Sequence, residues 1–200
     1  MTRRFLVVAH RVPVDGNFTL NDLAGSGGRF DELARIISSV FIVSNGIRRD
    51  SEVTFHLVSD PHHPRRVRLV GSRLKYLNPD ERSTAALVKN GLGRGWDRPD
   101  VEMETTPGIF VGPLPDPEGA LREFAGRPGA VWLHESGAPL RGAELPEDPE
   151  FLLSDPYDLV PSEEGCLRDA GVRRISVGPR ALPSSQCVTL VHNELDLRGP

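Results

Sequence analysis

Short apolar runs alternate with helix-like segments along most of this chain, and this alternation constrains the fold more than any other feature. Each run has the length of a buried strand, and turn residues or polar residues bound it. The strand-like runs cover residues 5–10, 53–59, 65–70, 108–112, 130–135, 151–155 and 174–178. Strands that alternate with helices favour an α/β fold with a mainly parallel sheet.

The segments between these runs carry ordinary helix signals. Five apolar residues recur with the spacing of a core-facing helix, namely Leu33, Ile36, Ile37, Val40 and Phe41. Residues 78–91 begin with Asn78 and Pro79, and Asn90-Gly91 predicts the end of that helix. Further helices are predicted over 117–125 and 162–170. Because no linker divides the chain, we predict one domain over residues 1–200.

The composition excludes several classes of protein. The net charge is −4, so an RNA-binding site would have to be a local basic patch on an acidic molecule. Two cysteines, Cys166 and Cys187, make neither a disulfide framework nor a zinc site, and we predict no metal. No apolar run approaches the roughly 20 residues of a membrane span. We therefore predict a cytoplasmic protein with no membrane partner.

Three loops are candidates for a ligand site, because ligands of open parallel sheets bind beyond the carboxyl ends of the strands. These loops are HESGAP after Leu133, SDPYD after Leu153 and GPRALPSSQ after Val177. Their small and turn-forming residues allow a ligand to approach the backbone closely. Connecting loops without a ligand often have the same composition, and that alternative stays open at this point.

The motifs that would identify a common enzyme class do not occur in the sequence. G-x-G-x-x-G, the P-loop lysine motif, H-E-x-x-H and G-x-S-x-G are all missing. Their absence weakens the assignment to dinucleotide-binding proteins, nucleotide triphosphatases, zinc peptidases and serine hydrolases.

Five further segments of the sequence are distinctive: GRFDELARIISSVFIVSNGIR (28–48), NPDERSTAAL (78–87), WLHESGAPL (132–140), LLSDPYD (152–158) and VGPRALPSSQCVTLVHNELD (177–196). Together they resemble the archaeal tRNA pseudouridine N1-methyltransferase family and its bacterial relatives, which belong to the SPOUT superfamily. NPDERSTAAL and VGPRALPSSQCVTLVHNELD are the most specific of the five. The resemblance extends from about residue 5 to residue 198.

This resemblance implies a SPOUT-type sheet flanked by helices, with the C-terminal segment threaded into a trefoil knot. It also implies a homodimer that forms through the knot region and an S-adenosylmethionine site in the knot loops. The residues expected to bind the cofactor are Leu133, Ser154, Val177, Gly178, Pro179, Arg180, Ala181, Leu182 and Cys187. Ser154 stands where the family often has Gly. Pro156 stands where many members have His, a change that bears on the choice of substrate.

The implied reaction is methyl transfer from S-adenosylmethionine to N1 of pseudouridine in RNA, with pseudouridine 54 in the T-loop of tRNA as the expected target. One alternative is a ribosomal RNA pseudouridine methyltransferase. Another is a knotted dimer that binds RNA or cofactor without turnover. Asp155 is predicted to be catalytic by accepting the N1 proton, because it follows the second loop. A turn or capping role is the alternative for that residue.

Four arginines are predicted to bind RNA: Arg29, Arg35, Arg48 and Arg82. Arg82 lies just inside a predicted helix start and is also predicted to be catalytic, because a guanidinium there could clamp a phosphate or stack on a base. The alternative for Arg82 is a solvated helix position. The other three arginines flank the first helix and would form part of an RNA groove.

Overall fold

A computed structural model describes residues 2–199 of the chain. The strands are β1 (Arg3–Ala9), β2 (Ile42–Val43), β3 (Gly46–Ile47), β4 (Ser51–Leu57), β5 (Arg65–Val70), β6 (Met103–Thr106), β7 (Ile109–Pro113), β8 (Ala130–Pro139), β9 (Glu150–Ser154) and β10 (Arg173–Ser176). The helices are α1 (Phe30–Phe41), α2 (Glu81–Trp96), α3 (Pro117–Ala125), α4 (Pro161–Asp169) and α5 (Ser184–Arg198).

Eight of the strands form one mixed sheet in the order β10-β8-β9-β1-β4-β5-β7-β6. The first five strands in this order run parallel to one another. The remaining three continue the sheet with antiparallel pairing. The predicted α/β fold with a mainly parallel sheet is therefore confirmed.

Helices cover both faces of the sheet and bury two apolar cores. Side chains of α1, α2 and α5 pack on one face, and those of α3 and α4 pack on the other. Successive residues of a strand point to opposite faces, so Phe5 and Val7 enter the first core while Leu6 and Val8 enter the second. A strand buried on both faces needs a continuous apolar run, which explains the sequence of β1.

The second predicted helix extends beyond its predicted end. The sequence predicted a stop at Asn90-Gly91, but α2 continues to Trp96. Two glycines of this helix serve packing: a Cβ on Gly91 would lie 2.8 Å from Oγ1 of Thr105 on β6, and one on Gly95 would lie 2.7 Å from Val111 on β7. Because the strands pack so closely against α2, glycine is needed inside the helix, and it does not end the helix there.

The pairing of β8 with β10 contains a large irregularity. Arg174 pairs with Trp132, whereas the next residue, Ile175, pairs with Ala138. Residues 133–137 therefore leave the ladder between these two points. Gly137 is required where the chain returns, because a Cβ there would lie 2.5 Å from the backbone N of Ile175.

The end of α5 is bonded to the segment that follows this irregularity. Arg198 donates hydrogen bonds to the carbonyl oxygens of Leu140 (2.7 Å) and Ala143 (2.8 Å). The backbone N of Leu140 also donates to the carbonyl of Ser176 on β10 (2.7 Å). The C-terminal segment and residues 140–143 are therefore fixed against each other, and the trefoil knot itself stays a prediction.

The prediction of one domain over 1–200 includes Met1 and Pro200, which lie outside the described residues. Within residues 2–199 a single eight-stranded sheet joins the two cores. The helices of this described part include none that is both long enough and apolar enough to cross a membrane.

Candidate functional site

A cleft with a volume of about 660 Å³ opens at the carboxyl ends of β8, β9 and β10. The three loops predicted from the sequence meet here, together with the start of α1 and the first turn of α5. Most of the predicted cofactor residues line the cleft: Leu133, Ser154, Val177, Gly178, Arg180, Ala181, Leu182 and Cys187. Pro179 is the exception among the nine, since it is not part of the cleft wall.

Part of the cleft lining is apolar, and another part offers backbone groups. Leu153 and Ile175 contribute buried apolar surface. Residues 177–183 lie outside any helix or strand, so their N–H and C=O groups are not part of a ladder. Ser184 Oγ donates to the carbonyl of Ser154 (2.7 Å), which ties the third loop to the second. The cleft thus combines an apolar surface with polar backbone atoms.

A buried carboxylate holds the start of α5 against α1. Glu32 accepts a hydrogen bond from the backbone N of Ser185 (2.9 Å) and another from Nε of Arg35 (3.0 Å). Pro183, at the N-cap position of α5, provides no side-chain acceptor. Glu32 therefore takes the place of a cap, satisfying one of the free N–H groups at a positive helix end. Sequence reasoning missed Glu32; its position four residues before Ile36, on the apolar face of α1, was the available signal.

The thiol of Cys187 lies at the edge of the cleft, with its sulfur 3.6 Å from the carbonyl oxygen of Leu182. Burial raises the pKa of Cys187 to about 11. The side chain is therefore a neutral thiol near pH 7, and a neutral thiol is a poor nucleophile.

Asp155, in the wall of the cleft, belongs to an ionic cluster with His10 and Glu163. The side chain of Asp155 has no exposed surface. Its Oδ2 accepts from the backbone N of His10 (2.7 Å), and its Oδ1 accepts from the backbone N of Tyr157 (3.1 Å). The His10 ring lies between two carboxylates, with Nδ1 3.2 Å from Asp155 Oδ1 and Nε2 3.0 Å from Glu163 Oε2.

This arrangement keeps His10 protonated. The hydrogen bond to Asp155 and then that to Glu163 raise the pKa of His10 to about 9. An imidazolium donates from both ring nitrogens, which matches the two carboxylates. Both carboxylate oxygens of Asp155 accept hydrogen bonds, which matches the turn role that was the alternative from the sequence. Its catalytic assignment stays a prediction.

Two of the four predicted RNA-binding arginines line the cleft. Gly28 and Arg29 both adopt left-handed backbone conformations (φ 59° and 71°) just before α1. A Cβ on Gly28 would lie 1.9 Å from the carbonyl oxygen of Arg11, so only glycine fits. Arg29 is thereby directed into the cleft wall, where it pairs with Asp31 (3.0 Å). Arg35 also lines the cleft, and its guanidinium is shared among three carboxylates: Asp31, Glu32 and Glu81.

The other two arginines lie outside the cleft wall. Arg82 is exposed on the first turn of α2 and donates to Asn21 Oδ1 and to the carbonyl of Leu20. Arg48 follows the far end of α1 and forms a two-point ion pair with Asp196 (3.0 and 2.9 Å). Arg48 therefore lies apart from the cleft wall that Arg29 and Arg35 line, and its role in RNA binding stays a prediction.

No group of three metal-binding side chains suited to an ion occurs in the part of the chain that the structure describes.

Comparison with known proteins gives one consistent assignment. A family model described as SAM-dependent RNA methyltransferase matches residues 2–199. A relative from Haloarcula marismortui, named tRNA (pseudouridine(54)-N(1))-methyltransferase, is 40% identical over 198 residues, covering 98% of each chain. A relative from Methanocella arvoryzae with the same name is 38% identical over 200 residues, covering 98% of this chain and 100% of the relative.

A solved structure also matches nearly the whole chain. Archaeoglobus fulgidus Nep1 bound to S-adenosylhomocysteine aligns with a TM-score of 0.62 and 12% identity, covering 97% of both chains. This likeness shows a shared fold, in agreement with the SPOUT-type sheet predicted from the sequence.

Proposed function

We propose a reaction and a substrate for this chain from the premise that it belongs to the family of SAM-dependent RNA methyltransferases. The reaction is methylation of N1 of pseudouridine, and the target is position 54 of tRNA. The observation that carries this proposal is the full-length match, at 38–40% identity, to relatives that bear this activity in their names. We also propose that the protein acts in the cytoplasm.

The cleft fits S-adenosylmethionine in size and chemistry. A volume of about 660 Å³ lies within the usual range for small-molecule sites. Leu133 and Leu153 offer an apolar surface for an adenine ring, and the backbone of residues 177–182 offers hydrogen bonds. When bound, S-adenosylmethionine supplies a methyl group that is already activated for transfer. The cleft-lining residues Leu133, Ser154, Val177, Gly178, Arg180, Ala181, Leu182 and Cys187 would hold it, with Pro179 stiffening the loop.

The protein's contribution to catalysis is mainly alignment. Holding N1 of the base in line with the methyl group lowers the barrier through orientation and does not require a covalent intermediate. The N1 proton must also be lost, and two acids of the second loop, Asp155 and Asp158, line the cleft. Asp155 would have to release its three hydrogen bonds to take the proton, whereas the side chain of Asp158 is exposed. Comparing Asp155→Asn with Asp158→Asn separates the two roles.

RNA would approach along the edge where α1 and α2 begin. Arg29 and Arg35 face the cleft, and Glu81, beside Arg82, pairs with Arg35 (2.9 Å), so α2 begins next to the same edge. In this proposal Arg82 positions the RNA and does not touch the reacting atoms.

We further propose the homodimer through the knot region. Leu182, Leu190 and Leu197 are large apolar side chains exposed on the C-terminal segment, and a second subunit would cover them.

The experiment that tests this function has two parts. Calorimetric titration with S-adenosylmethionine should show binding in the micromolar range. Transfer of a labelled methyl group is then measured onto two T-loop stem-loops that differ only in pseudouridine or uridine at position 54. Transfer only to the pseudouridine RNA supports the proposal. If a ribosomal RNA fragment is methylated and neither stem-loop is, the substrate is ribosomal RNA and the proposed tRNA target is wrong. Binding of the cofactor without methyl transfer to any of these RNAs would favour the alternative of a protein that binds cofactor or RNA without turnover.

A further inference from the structure

An arginine and a tyrosine stack on each other beside the cleft, and the proposed reaction does not use them. The guanidinium carbon of Arg11 lies 3.7 Å from the ring centroid of Tyr157. Tyr157 is 38% exposed, so this aromatic surface is available to a ligand. Its neighbours on both sides, Pro156 and Asp158, line the cleft. The stack therefore lies beside the cleft, on the loop that carries Pro156 and Asp158.

The backbone beneath the stack is held rigidly by the ionic cluster. Arg11 follows β1 and Tyr157 follows β9, and these two strands are neighbours in the sheet. The Asp155 carboxylate accepts from the backbone N of His10 and from the backbone N of Tyr157. The same carboxylate therefore fixes the loops that carry both stacking side chains. A preformed surface of this kind loses little conformational entropy when a ligand binds.

Arg11 differs from the arginines of the cleft wall in its ionic partners. Arg29 and Arg35 pair with carboxylates, but Arg11 has no ion pair within residues 2–199. The pKa of Arg29 is raised mainly by its hydrogen bond to Asp31, and the phenol of Tyr157 also contributes. Arg11 and Tyr157 thus add a free cation and an aromatic face to the basic edge of the cleft.

These two groups suit a nucleotide. Unpaired bases of RNA stack on aromatic rings and on guanidinium planes, and arginine donors also bind phosphate. We propose that Arg11 and Tyr157 form a stacking platform that binds a nucleotide of the substrate RNA next to the methylated base. This inference rests on the proposed function, because it assumes that RNA is the substrate. The platform sets affinity for RNA and takes no part in binding S-adenosylmethionine.

The test compares four variants of the full chain: Tyr157→Ala, Tyr157→Phe, Arg11→Ala and Arg11→Lys. Stacking on an aromatic side chain is worth roughly 1–3 kcal/mol per base, which corresponds to about a 5- to 150-fold change in affinity. Tyr157→Ala should therefore raise the KM for the pseudouridine stem-loop by about tenfold or more, with kcat changed less. Tyr157→Phe should keep a KM close to that of the wild type. Arg11→Ala should raise the KM, and Arg11→Lys should raise it nearly as much, because an ammonium group does not stack as a guanidinium does.

Tyr76→Ala is the matched control, since Tyr76 is the chain's other tyrosine, is exposed and is not part of the cleft wall. The affinity of each variant for S-adenosylmethionine shows whether the fold is intact. An unchanged KM for RNA in Tyr157→Ala, with normal cofactor affinity, would overturn the inference and leave the proposed function standing. If the wild type transfers no methyl group, fluorescence anisotropy with the same stem-loop decides. A loss of affinity in Tyr157→Ala but not in Tyr76→Ala supports the platform, and equal affinities refute it.

Discussion

The pair of carboxylates around His10 predicts a specific dependence of stability on pH. In the folded protein the pKa of His10 is about 9, whereas an exposed histidine has a value of 6.5. The ring is mostly shielded, with 16% of its side chain exposed. A group whose pKa is raised on folding stabilises the folded state fully below its unfolded pKa. That contribution is then lost as the pH rises through the folded pKa.

The size of this effect follows from the two pKa values. Each pKa unit corresponds to about 1.4 kcal/mol, so the protonated ring contributes at most about 3 kcal/mol. Between about pH 7 and pH 10 the free energy of unfolding should therefore fall by roughly 2–3 kcal/mol because of this one group. The perturbation is His10→Gln, which retains a hydrogen-bonding side chain but cannot titrate.

The assay is urea denaturation of the wild type and His10→Gln across this pH range. Subtracting the two curves cancels the titration of all other groups. The difference in the free energy of unfolding should be largest near neutral pH and should shrink toward a constant above about pH 9. His62→Gln, at an exposed position, is the control. A difference that stays constant with pH would refute the reasoning, as would a measured ring pKa for His10 near that of an exposed histidine.

Three further predictions concern the cleft and the segments that support it. Gly137→Ala should destabilise the fold by about 1–3 kcal/mol in urea denaturation and weaken S-adenosylmethionine binding, because its Cβ would press on the backbone of β10. The control is Gly165→Ala in α4, where a Cβ would meet open space. This variant should be neutral or slightly stabilising in the same two measurements. Glu32→Ala should cost about 1–3 kcal/mol in urea denaturation, since it leaves the N–H of Ser185 without its acceptor, and an unchanged midpoint would contradict this role. Cys187→Ala should keep kcat within about twofold of the wild type, because a thiol with a pKa of about 11 is no nucleophile, and a large loss of kcat with normal cofactor affinity would show that the thiol takes part in the reaction.

The parts of the fold that depend on local pattern could be predicted from the sequence. Strands β1, β8 and β9 have continuous apolar runs, and α1 has an apolar stripe. The spacing of these apolar residues indicates which face is buried and whether the segment is a strand or a helix. The place of the cleft also followed, because parallel strands bring their carboxyl ends to the same edge.

The parts that depend on contacts between distant segments could not be predicted. The jump in register between Trp132 and Ala138 depends on pairing with β10, and the need for glycine at position 137 becomes visible only once that pairing is known. The cluster of His10, Asp155 and Glu163 brings together residues that lie about 150 positions apart in the chain. A histidine or aspartate in a loop shows no preference for such partners in its local sequence. The same reason explains why Asp155 was assigned a catalytic role from its position alone.

The separation of Arg48 from the cleft has a geometric cause. Arg29 and Arg48 flank the same helix in the sequence, but α1 is 12 residues long and places them at opposite ends. Arg48 instead meets Asp196 near the end of α5. Two residues that flank one helix in the sequence lie at its opposite ends in the structure, so they do not form one site.

The measurement that tests the central claim most directly is mass spectrometry of nucleosides from a T-loop RNA incubated with the protein and S-adenosylmethionine. Two RNAs of identical sequence are compared, one with pseudouridine and one with uridine at position 54. The account predicts that N1-methylpseudouridine appears only from the first RNA and that no methylated nucleoside appears from the second. Methylation of the uridine RNA, or of another atom or position in the pseudouridine RNA, would contradict the account.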